Sequence, residues 1–132
     1  MPLTAILETA VYTSDLDAAE AFYGGILGLT KRSRMDNRFV FYECGTQMLL
    51  VFNPDETIGQ PPPIPRHGPQ GPGHLCFAAE PDGIDAWRER LIAAGVEIET
   101  EIDWPNGARS IYFRDPAGNS LEIAEHRLWF GE

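Results

Sequence analysis

Two carboxylates and one imidazole lie among apolar strand residues at matched places in this chain. Glu8 and His74 each stand in the short apolar segment that opens one half, and Glu122 stands in the last apolar segment. Charged groups are costly to bury without a partner, and a divalent cation satisfies all three. One imidazole with two carboxylates is a hard, anionic donor set, which suits Mn²⁺, Mg²⁺, Ni²⁺ or Zn²⁺ at least as well as Fe²⁺. The three residues predict a metal site.

Three further side chains have the chemistry of a substrate site. Arg109 offers a positive charge to an anionic substrate, and the rings of Phe52 and Trp104 suit the wall of a binding cleft. Each also has a structural alternative, which is an exposed arginine at a strand end or aromatic packing in the core or rim. All three are candidate substrate-binding residues.

The elements that must position these side chains occur twice along the chain. Residues 5–12 predict a strand, and residues 16–25 predict an amphipathic helix capped by Ser14 or Asp15. Three β-rich segments follow, the last of them ending at Phe52. The order of the first half is therefore βαβββ.

The second half repeats this order after a proline-rich segment that predicts an extended connector. Its predicted elements are a strand at 74–79, a helix at 84–94, and strands at 96–101, 109–113 and 120–123. We assign module one to residues 1–53, the connector to 54–72 and module two to 73–132.

The predicted fold class is α+β, with two βαβββ modules forming a curved mixed sheet around a cleft. Each module has a helix on one face of its sheet, so the other face needs a cover. A second chain would complete or extend the cleft, and we expect a homodimer, with a monomer as the alternative. Trp129 and Phe130 predict that the C-terminal end anchors onto the body or onto a partner chain, since exposed aromatic rings are otherwise unfavourable.

Composition narrows the class of protein. The 132 residues are 43% hydrophobic and 23% charged, which indicates one globular domain. A formal net charge of −10 argues against partnership with nucleic acid or an anionic membrane. No apolar run is long enough to span a bilayer, and the first residues lack the pattern of a signal peptide. The two cysteines form no CxxC pair, so we expect a reducing, cytoplasmic setting.

Three runs of sequence resemble the vicinal oxygen chelate superfamily, which includes glyoxalases, bleomycin-binding proteins and extradiol dioxygenases. The runs are Leu7-Glu8-Thr9-Ala10-Val11-Tyr12, Gly73-His74-Leu75-Cys76-Phe77 and Tyr112-Phe113-Arg114-Asp115-Pro116-Ala117-Gly118-Asn119-Ser120-Leu121-Glu122. The resemblance implies paired βαβββ modules and a divalent metal that chelates two neighbouring substrate oxygens.

The resemblance also implies roles for single residues. It places metal ligands at Glu8, where relatives usually have His or Gln, and at His74 and Glu122. A fourth ligand position, used by glyoxalase I, falls near Leu49 or Leu50, and neither residue is acidic. Three protein ligands with open coordination positions are therefore expected.

Two side chains are candidates for proton transfer under this resemblance. Tyr112 is similar to a tyrosine that precedes the glutamate ligand in extradiol dioxygenases, although packing in the strand is its alternative role. His67 lies in the connector and either folds over the cleft as an acid/base lid residue or stays on the surface.

Two functions of different classes remain open. The first is a metal-dependent enzyme acting on a small oxygen-rich molecule, with lyase or isomerase chemistry ahead of oxygen insertion. The second is a metal-free protein that binds and sequesters a small antibiotic of the bleomycin type. The acidic balance and the missing fourth ligand favour the binder, whereas the pairing of His74 with Glu122 favours the enzyme.

Overall fold

The structure, a computed structural model, describes residues 1–131 and divides into two compact units. Unit 1 is Met1–Gly73, and unit 2 begins at His74. Each unit holds one four-stranded mixed sheet with a helix, so the predicted α+β class with two βαβββ modules is confirmed. Among the described residues, no helix is both long and apolar enough to cross a membrane.

Unit 1 contains strands β1 to β4 with the sheet order β1-β4-β3-β2. The bounds are β1 Glu8–Tyr12, β2 Thr30–Met35, β3 Phe39–Cys44 and β4 Gln47–Phe52. β1 runs parallel to β4, and the other neighbours are antiparallel. A parallel pair needs a crossover connection, and here the helix and the β2–β3 hairpin supply it.

The helix between β1 and β2 changes character along its length. It begins as α1, Leu16–Ala19, where the Asp15 side chain accepts a hydrogen bond from the Ala18 amide. It continues as a π-helix over Glu20–Ile26, within which Gly24 and Gly25 lie. The helix was predicted at this place, but its π character was not. Two successive glycines lower the helix propensity of this segment, which favours such an irregularity.

The sequence predicted an extended connector, but the connector is not extended throughout. A short helix α2, Pro54–Thr57, begins directly after β4. Asn53 caps this helix by accepting a hydrogen bond from the Asp55 amide. Pro54 suits the first helical position, because proline lacks an N–H and an N–H there would have no partner within the helix. The many prolines of this segment led to the prediction of an extended chain, although Asn53 followed by Pro54 is a helix-capping pattern.

Unit 2 contains strands β5 to β8 with the sheet order β5-β8-β7-β6. The bounds are β5 His74–Ala79, α3 Gly83–Ala93, β6 Thr100–Asp103, β7 Arg109–Arg114 and β8 Ser120–Glu125. A 3-10 turn, His126–Leu128, follows β8. β5 is parallel to β8, and the remaining pairs are antiparallel.

The strand predicted at 96–101 is displaced toward the C-terminus. After α3 the amide of Val96 still bonds back to the Leu91 carbonyl, and Gly95 has a φ of +80°. This arrangement is a glycine C-cap, and it occupies the residues that would have begun the strand. Pairing with β7 therefore starts only at Thr100.

Each sheet packs its helix against one face. We call the opposite face the helix-free face. The helix faces are the apolar cores, and their fully buried members include Tyr23, Val40, Tyr42, Val51, Ile84, Leu91, Ile111, Phe113 and Leu121. Since strand side chains alternate between faces, every second residue lies on the face away from the helix. Of the candidate site residues on strands, Glu8, Phe52, His74, Tyr112 and Glu122 lie there.

Candidate metal centre

The helix-free face of unit 2 is built of three cross-strand rows, read from the register of β5, β8 and β7. The rows are His74–Ser120–Arg114, Cys76–Glu122–Tyr112 and Ala78–Ala124–Ser110. Glu122 thus lies at the centre of the sheet, with Cys76 and Tyr112 on either side. Fold topology brings these residues together from segments that are far apart in sequence.

His74 and Glu122 face each other without forming a hydrogen bond. The Nε2 atom of His74 lies 3.4 Å from Oε1 of Glu122, which is longer than a well-formed N–H···O bond. The other ring nitrogen, Nδ1, is 2.9 Å from the Ser120 carbonyl oxygen, which can only accept. Nδ1 therefore carries the proton in the neutral imidazole, and Nε2 presents its lone pair to the carboxylate.

The Glu122 carboxylate is buried and incompletely satisfied. The residue is 5% exposed, and its Oε2 atom has no hydrogen-bond partner. A buried acceptor without a partner costs about 1–3 kcal/mol. Packing does not offset this cost, so the buried carboxylate calls for a further partner.

A divalent cation fits these two donors. Two ligand atoms about 2.1 Å from a tetrahedral ion lie roughly 3.4 Å apart. The separation of Nε2 and Oε1 has this value. A histidine that binds a metal through one nitrogen commonly donates its other N–H to a backbone carbonyl, as His74 does to Ser120.

Tyr112 lies beside this pair with its ring stacked on that of His74, at a centroid separation of 6.3 Å. Burial, followed by the negative charge of Glu122, raises the pKa of Tyr112 to about 12. The phenol therefore keeps its proton at neutral pH. Desolvation at the sheet surface and the charge of Glu122 likewise raise the pKa of the Cys76 thiol to about 12, although Cys76 as a whole residue is exposed.

The structure separates the predicted substrate residues of unit 2. The indole of Trp104 donates from Nε1 to the hydroxyl of Ser110 at 2.8 Å, which fixes the ring next to the third row of the helix-free face. Arg109 differs, because its guanidinium donates to Asp85 of α3 at 2.8 Å. Strand alternation places Arg109 on the helix face, so we leave it out of the proposed site.

The helix-free face of unit 1 has the same three rows with different chemistry. The rows are Glu8–Met48–Glu43, Ala10–Leu50–Phe41 and Tyr12–Phe52–Phe39. Glu8 opens its strand as His74 opens the equivalent strand of unit 2. Leu50 is apolar and holds in unit 1 the central position that Glu122 holds in unit 2. Leu49 lies on the buried helix face instead.

Glu8 is exposed and lies in unit 1, whereas His74 and Glu122 lie in unit 2. Within residues 1–131, no three His, Cys, Asp or Glu side chains are grouped closely enough to hold a metal ion. The geometry of unit 2 therefore brings together two candidate ligands, His74 and Glu122. Participation of Glu8 as the third ligand stays a prediction.

Phe52 and His67 belong to an aromatic cluster on unit 1, which we define as Tyr12, Phe39, Phe41, Phe52 and His67. The Tyr12 hydroxyl lies 2.5 Å from Nδ1 of His67, and the His67 ring meets Phe52 edge-on at 4.8 Å. His67 is thus half-buried against its own unit. Whether it acts as a lid over a cleft stays a prediction.

Four further residues lie outside the two helix-free faces or at their edges, and these are Arg114, His126, Trp129 and Phe130. Arg114 donates to Glu99 and to the Gly118 carbonyl at the turn before β8, so it stabilises this turn. His126 is exposed and stacks on Phe130 at 4.7 Å. Trp129 and Phe130 remain 82% and 66% exposed, so their anchoring onto a partner chain stays a prediction.

Sequence reasoning missed three residues that shape these faces. Ser120 orients His74, Ser110 holds Trp104, and Tyr12 binds His67. The period of two from Glu8 to Tyr12 and from Glu122 to Ser120 was the available signal. It gives the face of a residue but not its hydrogen-bond partner.

Comparison with known proteins adds an independent finding. A family model described as the Glyoxalase/Bleomycin resistance protein/Dioxygenase superfamily matches residues 5–123. Among curated proteins, the Metallothiol transferase FosB of Shouchella clausii (strain KSM-K16) is 31% identical over 119 residues, covering 83% of this chain and 72% of the transferase.

Solved structures of proteins described as glyoxalase-family members are also similar to this chain. A structure described as lactoylglutathione lyase from Agrobacterium tumefaciens is 48% identical, with a TM-score of 0.94 and coverage of 98% of each chain. A glyoxalase/bleomycin resistance protein/dioxygenase from Nocardioides is 29% identical, with a TM-score of 0.74 and coverage of 95% of this chain and 85% of that one. These similarities confirm the expected resemblance.

Proposed function

Because the chain belongs to the Glyoxalase/Bleomycin resistance protein/Dioxygenase superfamily, we propose that it is a divalent-metal-dependent enzyme acting on a small oxygen-rich molecule. Lyase or isomerase chemistry is favoured over oxygenation. The observation that supports a cation is the pairing of His74 Nε2 with Glu122 Oε1 at 3.4 Å, beside a buried oxygen that has no partner.

His74 and Glu122 would hold the cation, with Glu8 as the third protein ligand. The bound ion would act as a Lewis acid that polarises a carbonyl oxygen of the substrate. Because neither Leu49 nor Leu50, where the resemblance places a fourth ligand, is acidic, coordination sites would remain for two neighbouring substrate oxygens. The candidate cations for this site are Mn²⁺, Ni²⁺, Zn²⁺, Mg²⁺ and Fe²⁺.

Two side chains of this chain would manage protons. Burial raises the pKa of the Tyr112 phenol, so its hydroxyl would donate a hydrogen bond to a substrate oxygen that gains negative charge. His67 is the proposed acid/base partner, since an imidazole exchanges protons near neutral pH. Phe52 and Trp104 would contact the substrate through their rings.

The similarity to the Agrobacterium lactoylglutathione lyase supports one first substrate to test, which is the hemithioacetal of glutathione and a small oxoaldehyde. Rearrangement to a thioester requires a proton to move between two adjacent carbons that carry oxygen. A site with a Lewis acid and a protonated phenol suits that chemistry.

The test measures metal content and activity together. Protein purified without chelator or a metal-binding tag should contain about one divalent ion per chain, and His74→Ala should lose both the ion and the activity. His126→Ala is the matched control, because His126 is an exposed histidine outside the site and should retain both.

The alternative is a metal-free binder of a small antibiotic, which the apolar residue Leu50 favours. That function predicts no bound metal and ligand binding that His74→Ala leaves unchanged. Such a result would overturn the metal-dependent enzyme.

A further inference from the structure

We propose that the aromatic cluster of unit 1 is a binding site for a neutral, planar aromatic molecule that carries a hydrogen-bonding oxygen. The cluster comprises Tyr12, Phe39, Phe41, Phe52 and His67, and its lining is unlike that of the equivalent face of unit 2. The binding itself does not depend on the proposed metal chemistry.

The backbone places these rings in one continuous surface. Tyr12, Phe52 and Phe39 occupy a single cross-strand row over β1, β4 and β3, and Phe41 lies two residues from Phe39 on the same face. Phe39 and Phe41 stack at 3.9 Å with their planes 13° apart, and Phe52 meets Phe41 edge-on at 5.4 Å. Such a surface offers both ring faces and ring edges to another flat molecule.

The same row in unit 2 is occupied by Ala78, Ala124 and Ser110. Small residues are therefore compatible with this row of the fold, so its three aromatic rings in unit 1 are not imposed by the backbone. All five residues of the cluster are half-buried rather than packed into the core. The helix-side core of unit 1 is closed without them, because Val40, Val51 and Tyr42 are fully buried on the opposite face.

One polar atom of the cluster points to the functional group of the ligand. The Tyr12 hydroxyl and Nδ1 of His67 share a hydrogen bond. We assign the phenol as its donor, because a phenol is a stronger acid than a neutral imidazole N–H, and this assignment leaves the ring proton of His67 on Nε2. Within the described residues 1–131, no group accepts a hydrogen bond from Nε2. A half-buried N–H at the edge of an aromatic surface suits a carbonyl or phenolic oxygen.

Charge decides between a neutral and an anionic ligand. The chain carries a net charge of −10, and Glu8 is exposed on the same sheet face as the cluster. Both features disfavour a carboxylate or phosphate. A neutral aromatic carbonyl compound or phenol fits the cluster best.

The experiment compares two neutral amides that differ in the flatness of the ring. Benzamide and cyclohexanecarboxamide share one carbonyl group, but only benzamide can stack. Each would be titrated into metal-free full-length protein while backbone amide NMR signals are followed. We expect benzamide to shift the signals of Tyr12, Phe39, Phe41 and Phe52 and to bind about two- to twelve-fold more tightly than cyclohexanecarboxamide, the factor expected for one aromatic pair.

Two variants test separately how the aromatic surface and the His67 N–H contribute to benzamide binding. Phe52→Leu should weaken benzamide binding severalfold, and Phe77→Leu is the matched control, as it removes a half-buried strand phenylalanine of unit 2. His67→Phe keeps a ring in place and removes the donor, so it should reduce the preference for benzamide over toluene. An unchanged amide spectrum apart from local shifts would show that each variant is folded.

Equal affinity for the two amides, or signal shifts confined to other residues, would overturn the proposal. So would an absence of shifts in a protein that light scattering shows to be dimeric, because a second copy would then be the better occupant of the cluster. Since the protein is metal-free, failure here leaves the metal count of the proposed function untouched. Loss of the metal centre would equally leave benzamide binding intact.

Discussion

Replacing Glu122 with leucine should stabilise the metal-free protein. Glu122 is 5% exposed, and one of its oxygens has no hydrogen-bond partner. The neighbouring His74 side chain is about half exposed and loses little when the carboxylate is removed. Leucine already occupies the equivalent place in unit 1, as Leu50, so this sheet position accepts its shape.

The magnitude follows from the unsatisfied oxygen. Removing a buried acceptor without a partner recovers about 1–3 kcal/mol, which for a domain of this length corresponds to a rise in Tm of about 3–10 °C. Addition of a cation should reverse the order, because a bound ion stabilises the wild type by about 4.1 kcal/mol at a thousandfold excess over Kd. Glu122→Leu should not respond to the cation.

Thermal unfolding at pH 8, where an ordinary imidazole is neutral, measures this effect with chelator and with added Zn²⁺ or Mn²⁺. Glu125→Leu is the matched control. Glu125 lies on the same strand and is 2% exposed, but its Oε2 accepts from the Arg109 amide and from Arg127. That variant should lose about 1.5–3 kcal/mol. If Glu122→Leu were destabilised like the control in the presence of chelator, the carboxylate would be a structural group, and our reasoning would be refuted.

Three other predictions concern stability and specificity. Asp115→Ala should cost about 2–3 kcal/mol in urea unfolding, because the buried carboxylate accepts from two backbone amides and from Asn119 at the turn before β8. Arg34 and then Lys31 lower the pKa of Glu20 from 4.5, so this carboxylate's contribution is present above pH 4.5 and is lost as the pH falls through its lowered folded-state value. The stability difference between wild type and Arg34→Met should therefore shrink below pH 4.5. Arg109→Met should lower Tm but leave the KM of any active substrate unchanged, and a large rise in KM would return Arg109 to the site.

Much of the fold could be predicted because it depends on local signals. The apolar strands, the Asp15 cap and Gly95 after the second helix all act over a few residues. The π-helix and the displaced start of β6 could not, since they depend on how a glycine segment closes and on where pairing with β7 begins.

The candidate site could be predicted only as a set of residue types on strands. Period two places Glu122 and Tyr112 on strands, but their being cross-strand neighbours depends on the register of β7 and β8. The tautomer of His74 depends on the Ser120 carbonyl, 46 residues away in sequence. The partner of Arg109 could not be predicted, because the acidic residue that accepts from it lies on a helix whose packing the sequence does not reveal.

The most direct test of a cation held by His74 and Glu122 is an NMR measurement of the histidine ring nitrogens. The chain has three histidines, so the spectrum is simple to assign. Without metal, His74 should carry its proton on Nδ1, and addition of Zn²⁺ should move its Nε2 signal while that of His126 stays in place. A His74 protonated on Nε2, and unchanged when Zn²⁺ is added, would contradict the metal centre.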